Sequence, residues 1–185
     1  NDGLLDLFVT NDGPANTLYH NAGDGTMEEV PWDDITGGSH AALWSDYDGD
    51  GDVDLFTSGS SKVLYRNDGD GTFTYIPYAE GGLPEPQPSD EIDVGFATAD
   101  FDNDGDLDVV YSSWQRRPTH MIFRNEGETG YLFVADIIPE SDLINGMLPT
   151  WGDYDNDGYQ DLYIPSNGSP NALFHNEGDG TFTQI

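Results

Sequence analysis

Asp46-Tyr47-Asp48-Gly49-Asp50-Gly51-Asp52-Val53-Asp54-Leu55-Phe56 is the stretch on which the reading of the whole chain turns. The same pattern returns from Asp100 as DFDNDGDLDVV and from Asp153 as DYDNDGYQDLY, and the chain opens on its second half, NDGLLDLF. The final aspartates fall at Asp6, Asp54, Asp108 and Asp161, a period of roughly 50 residues, which is the spacing of propeller blades. A second signature follows each one: LYHNAGDGTM from Leu18, LYRNDGDGTF from Leu64, IFRNEGETGYLF from Ile122 and LFHNEGDGTF from Leu173.

Each unit reads as β-structure. Asp54 to Thr57, Asp108 to Ser112 and Asp161 to Pro165 are short apolar runs bounded by Gly, Ser, Asn and Pro, as buried strands are. Val63 to Arg66 and Thr72 to Ile76 flank the glycine-rich turn Asn67-Asp68-Gly69-Asp70-Gly71 and form a hairpin. An earlier strand runs through Ala41 to Ser45, Gly95 to Ala99 and Leu148 to Gly152. Four strands per unit, with no segment of helical periodicity, predict an all-β chain: a β-propeller, or a propeller segment, of four-stranded antiparallel blades. The 185 residues form one repeat domain, divided as 1–34, 35–82, 83–138 and 139–185. Asn1 falls at position 4 of an acidic loop, so the first unit is expected to lack a strand and two loop carboxylates. A longer parent chain, a closed four-bladed ring or head-to-tail pairing with another copy would each complete it.

The acidic loops carry the chemistry. Asp46, Asp48, Asp50, Asp52 and Asp54 crowd five carboxylates into nine residues. Two ionised carboxylates about 4 Å apart repel by roughly 4 kcal/mol at an effective dielectric of about 20. Such a loop favours a cation over remaining a merely solvated acidic turn, and hard oxygen donors without His or Cys select Ca²⁺ or Mg²⁺, the flexible ligand-rich spacing favouring Ca²⁺. D-x-D-x-D-G-x-x-D sets side-chain oxygens at positions 1, 3, 5 and 9, and Gly at position 6 lets the chain fold back. Position 7, held by Asp52, Asp106, Tyr159 and Leu4, would offer a backbone carbonyl, which is indifferent to side chain. An EF-hand also begins this way, but it needs Glu at position 12, where Thr57, Tyr111 and Ile164 stand. Three sites are expected, with a fourth possible at Asp2, Leu4 and Asp6.

Together with the N-x-G-D-G-T-F signature and the W-x-D-Y-D of Trp44 and Trp151, this pattern resembles the VCBS/FG-GAP repeat family. Those repeats are the blades of integrin α-subunit-type propellers and of many secreted bacterial proteins. The resemblance covers essentially the whole chain. It implies Ca²⁺ in loops joining the first and second strands of each blade. Asp46, Asp48, Asp50 and Asp54, then Asp100, Asp102, Asp104 and Asp108, then Asp153, Asp155, Asp157 and Asp161, match the family's side-chain ligands one for one.

Charge and composition bound the rest. Thirty-six acidic against 5 basic residues give a net charge of -31, which repels nucleic-acid backbones and anionic membranes alike. No apolar stretch approaches the roughly 20 residues of a membrane helix. With 12% aromatic residues the chain is too apolar in places to be a disordered acidic tail. The absence of cysteine excludes disulfides and thiolate zinc sites. Asp24, Asp70 and Asp179 read as turn residues. His20 and His175 occupy the position of Arg66 and Arg124 in sister units, and read as exposed strand positions. Trp44 and Trp151 read as core. Trp114, Arg116 and Arg117, in the longest of the loops between second and third strands, are candidate contacts to a protein or glycan partner, the alternative being a blade-to-blade salt link to neighbouring acids. Every recurring polar motif is thereby assigned to a cation or a turn. The expected function is that of a non-catalytic, extracellular or cell-surface module for adhesion, assembly or ligand binding. The alternatives are a structural subunit of a head-to-tail filament, or part of a propeller lyase or hydrolase.

Overall fold

The structure is a computed structural model, and it describes residues 2–11, 13, 15–32, 38–59, 63–78, 80–81, 83, 93–113, 120–127, 130–134 and 146–185. Among these residues there are fifteen β-strands and no helix. They form four antiparallel sheets in which every strand pairs with its neighbour in sequence. The first holds β1 (Leu7–Val9), β2 (Thr17–Asn21) and β3 (Met27–Val30). The second holds β4 (Ser39–Ser45), β5 (Asp54–Gly59), β6 (Val63–Asn67) and β7 (Phe73–Pro77). The third comprises β8 (Asp93–Ala99), β9 (Asp108–Ser113), β10 (His120–Asn125) and β11 (Tyr131–Val134). The fourth comprises β12 (Thr150–Gly152), β13 (Asp161–Ile164), β14 (Ala172–Asn176) and β15 (Phe182–Gln184). Four meanders following one another make a propeller-like segment, as the repeat predicts.

The inner strands pack sheet against sheet, β4 on β8 and β8 on β12. Both faces of each middle sheet are therefore covered, which explains why the second strands read as continuous apolar runs rather than alternating ones. Leu55 joins the core against the first sheet, with Val63 and Tyr65, and its neighbour Phe56 joins the core against the third, with Leu64, Phe96 and Val109. Val109 and Val110 repeat the division one sheet later, Val110 packing with Ile122, Leu162 and Phe174. Trp32 closes the first seam, its ring 4.6 Å from Phe73 and 4.8 Å from Tyr65.

One strand is shorter than its sequence suggests. The run Leu148 to Gly152 yields only β12, because Pro149 has no N–H to give to a ladder. Pairing resumes on its other side through a Gly146–Ser166 bridge and a 2.8 Å bond from Met147 N to Pro165 O. Leu148 itself leans over Gly95 of β8, where a side chain would collide with it.

Candidate metal centres

Each acidic loop leaves the end of a first strand and returns into a second, and its backbone is bent to fit. Position 4 takes a left-handed conformation in all three complete loops, at Gly49 (φ 73°), Asn103 (φ 61°) and Asn156 (φ 63°). Asn and Gly are the residues that tolerate it. Position 6 does the same at Gly51, Gly105 and Gly158.

The carboxylates then divide the work. At position 1, Asp46 accepts from Gly49 N (2.9 Å) and Gly51 N (3.0 Å), at positions 4 and 6, whereas Asp100 and Asp153 accept from positions 5 and 6: Asp104 N and Gly105 N, and Asp157 N and Gly158 N. At position 5, Asp50, Asp104 and Asp157 each use one oxygen to hold the amide of position 7. Asp2 holds Leu4 N in the same way at 2.9 Å. At position 9 the carboxylate is buried, with Asp54 and Asp108 0% exposed and Asp161 1%. It ties two strands to the loop: Asp54 accepts from Tyr47 N at 2.9 Å and Asn67 N at 2.7 Å. Asp108 does so with Phe101 N and Asn125 N, and Asp161 with Tyr154 N and Asn176 N.

Position 3 differs. The Oδ1 atoms of Asp48 and Asp102 are buried and have no hydrogen-bond partner. Burial, then the neighbouring carboxylates Asp50 and Asp104, raise the pKa of both groups. Burial likewise pushes Asp54 up to about 6 and Asp108 up to about 7, against the two amide bonds that pull each down. A buried, unpartnered carboxylate oxygen costs free energy that a cation would return. The donor atoms lie close enough for one. Single ligand atoms of Asp46, Asp48 and Asp50 lie within 4.8 Å of one another, as do those of Asp100, Asp102 and Asp108, and those of Asp153, Asp155 and Asp157. These all-oxygen sets fit a hard divalent cation of the Ca²⁺ type, whose charge would relieve the crowding.

The position-7 side chains lie outside these groups. Asp52 lies against Gly69 of the following hairpin, Leu4 against Gly23 and Asp106 against Gly127. Tyr159 covers Gly178, its ring carbon 2.6 Å from where a Cβ would stand. The glycine of the N-x-G signature thus leaves room for position 7, a contact that spans all four units. The Gly-Asp-Gly aspartates act in turns: Asp24, Asp70 and Asp179 each accept from the backbone N and the hydroxyl of a threonine two residues on.

His175 departs from its reading as an exposed strand position. Its side chain is only 21% exposed, with Nδ1 3.1 Å from Asp161 Oδ1 and 3.5 Å from Asp155 Oδ2. Burial opposes its charge, but the Asp161 bond and the Asp155 and Asp161 carboxylates outweigh it and raise its pKa. His20 is 44% exposed and stands 3.1 Å from Asp6. The clue in the sequence is that only cationic or potentially cationic residues, His20, Arg66, Arg124 and His175, fill this position beside an acidic loop. Asn125 and Asn176 also do more than shape a turn. Buried, they donate across a seam to the position-2 carbonyl of the preceding unit, Asn125 to Tyr47 O and Asn176 to Phe101 O, both at 2.8 Å. Position 2 itself packs forward, the Phe101 ring stacking on Trp151 at 6.2 Å. A cavity of about 410 Å³ opens at the first seam, where Trp44, Phe73 and Leu18 form apolar walls beside Asp6 and Asn67. Trp114, Arg116 and Arg117 lie outside the described residues. No helix among the described residues is long and apolar enough to cross a membrane.

Comparison with known proteins agrees with the architecture. The model of the FG-GAP-like repeat matches three times, at residues 1–57, 46–111 and 100–164. The chain is 26% identical over 172 residues to cartilage acidic protein 1 of Homo sapiens, a match covering 86% of this chain and 25% of that protein. Among solved structures it resembles an Agrocybe aegerita lectin described for specific recognition of non-reducing terminal N-acetylglucosamine. The TM-score is 0.60 at 18% identity, with 96% of this chain and 46% of the lectin covered. The chain thus spans a quarter of the one relative's length and under half of the other's, and with three repeat matches across residues 1–164 it belongs to the FG-GAP-like repeat family.

Proposed function

We propose that this chain is a calcium-braced, non-catalytic binding module of an extracellular or cell-surface protein, presenting its seams and loops to a glycan or protein partner. The observation that carries the calcium assignment is the pair of buried oxygens, Asp48 Oδ1 and Asp102 Oδ1, that no protein group satisfies. The non-catalytic assignment is supported by the carboxyls with the largest upward shifts. Asp54 and Asp108 would be the natural general acids, yet each is wholly buried and gripped by two backbone amides, out of a substrate's reach. The glycan assignment draws on the fold shared with the lectin and on the first-seam cavity, where Trp44 and Phe73 offer apolar surface beside polar groups.

One Ca²⁺-loaded preparation applied to a glycan array and to a cleavage assay on the same glycans tests this. Retention of intact glycan, with non-reducing terminal N-acetylglucosamine the first to try, is the expected result. Turnover of the glycan would move the chain to the lyase or hydrolase class.

A further inference from the structure

The fourth acidic loop carries a nitrogen donor that the second and third lack. In the third unit the equivalent residue is Arg124, whose Nε stands 3.9 Å from Asp102, and in the second it is Arg66, turned toward Asp68 at 2.9 Å. A guanidinium has no lone pair to give a metal. An imidazole has one. His175 Nδ1 and one oxygen each of Asp155 and Asp161 lie within 4.8 Å of one another. Atoms each about 2.1 Å from a common ion and separated by 3.1 and 3.5 Å subtend about 95° and 113°, within the range of octahedral and tetrahedral coordination. The ring is held in place. Tyr154 meets it edge-on at 5.9 Å, and Asp161, with no exposed side-chain surface, is fixed by Tyr154 N and Asn176 N. Position 3 differs as well: the Asp48 and Asp102 oxygens are buried without a partner, whereas Asp155 is exposed and its Oδ2 stands 3.5 Å from the imidazole.

We infer that the fourth unit is a mixed nitrogen and oxygen site for a transition-metal cation of the Zn²⁺ class, ligated by His175 Nδ1, Asp155 and Asp161, while the loops from Asp46 and Asp100 remain all-oxygen sites. Imidazole suits Zn²⁺, Ni²⁺ and Cu²⁺, while carboxylate-only sets suit Ca²⁺. The inference rests on the reading of these loops as cation sites, and because Asp155 and Asp161 belong to both ligand sets, Zn²⁺ and Ca²⁺ compete there. The first unit supplies the control. His20 addresses Asp6 through Nδ1 at 3.1 Å but Asp2 through Nε2 at 3.9 Å, so its two carboxylates face opposite ring nitrogens and share no single donor.

The test titrates the intact chain with Zn²⁺ alone while following histidine ring nitrogens by long-range ¹H–¹⁵N NMR. One equivalent should shift His175 Nδ1 to a metal-bound position and leave His20 unmoved. His175→Arg, the residue type of the sister units, should weaken this Zn²⁺ binding by more than the ~10–100-fold that loss of a supporting hydrogen bond costs a metal site. His20→Arg should leave it intact. Ca²⁺ stoichiometry, measured separately, keeps the two readings apart. Normal Ca²⁺ binding with an unshifted His175 overturns the zinc site alone, and absent Ca²⁺ binding with a shifted His175 overturns the calcium reading alone. If His175→Arg alters folding, the wild-type NMR result stands by itself.

Discussion

The side-chain amide of Asn125 donates a 2.8 Å hydrogen bond to the backbone carbonyl of Tyr47, a residue 78 positions earlier and at position 2 of the preceding unit's acidic loop. Tyr47 is held from the other side, its own N–H bonded to the buried Asp54. One loop is therefore gripped both by its own second strand and by the next unit's third strand. Asn176, Phe101 and Asp108 repeat the arrangement at the following seam. A cation bound in one unit, as proposed, would thereby be joined to packing against the next.

Asn125→Ala tests that joint. It removes the seam bond and leaves the Tyr47 carbonyl without this donor, so a loss of about 1–3 kcal/mol is expected in denaturant titration. The same substitution should also weaken Ca²⁺ binding by the Asp46 loop. An effect confined to the Asp100 loop, or no effect, would show that the seam does not couple the units.

Removing Asp108 should lower Ca²⁺ stoichiometry by one, because it takes the proposed buried ligand from the group it forms with Asp100 and Asp102. Asp106→Ala should change affinity far less, since that side chain lies against Gly127 of the hairpin. Equal losses, read by calorimetric titration, would contradict the division between positions 7 and 9.

The raised carboxyls set the pH dependence of the metal-free chain. Asp54 and Asp108 go from an ordinary 3.8 to about 6 and about 7 on folding. Between those values the folded state binds more protons than the unfolded, so stability falls as pH rises through the window. Ca²⁺ bound as proposed would take the carboxylate form, so its stabilising increment should grow over the same range. Melts of metal-depleted protein from pH 5 to 8 should show the decline, and Asp54→Asn with Asp108→Asn should flatten it. An unaltered slope in the double variant would assign the effect to general charge repulsion instead.

Gly178 and Gly180 both have positive φ, 71° and 86°, but only Gly178 lies under Tyr159. Alanine should therefore cost more at 178 than at 180, beyond the roughly 1–2 kcal/mol of left-handed strain common to both. Adding Tyr159→Ala should recover part of the loss at 178 and none at 180. A double-mutant cycle without coupling would mean the ring moves aside freely.

The sequence made the strand order legible because one unit recurs, so that the spacing of Asp6, Asp54, Asp108 and Asp161 stands in for long-range information. Strand ends are less so: Pro149 cuts one short, and Asp54 to Thr57 extends to Gly59 because β4 pairs with it as far as Ser39, beyond the Thr57–Val63 end of the β6 pairing. At the site, carboxylate spacing points to a cation, but the roles of three residues are hidden. Asn125 and Asn176 act across a seam, and turn chemistry alone accounts for an Asn before Gly. His175 alternates with Arg in sister units, which signals exposure as readily as it signals a cation beside an acidic loop, and only its contacts with Asp155 and Asp161 decide.

Thermal unfolding of the intact chain with 1 mM Ca²⁺ and with excess chelator bears most directly on the calcium-braced propeller. Sites binding near 0.1 mM, as extracellular modules can, would each add about 1.4 kcal/mol. Three of them amount to a large share of the about 5–15 kcal/mol that holds a domain together. A melting temperature well above that in chelator, declining stepwise in Asp54→Asn, Asp108→Asn and Asp161→Asn, is the expected result. Coincident curves in Ca²⁺ and chelator would contradict it.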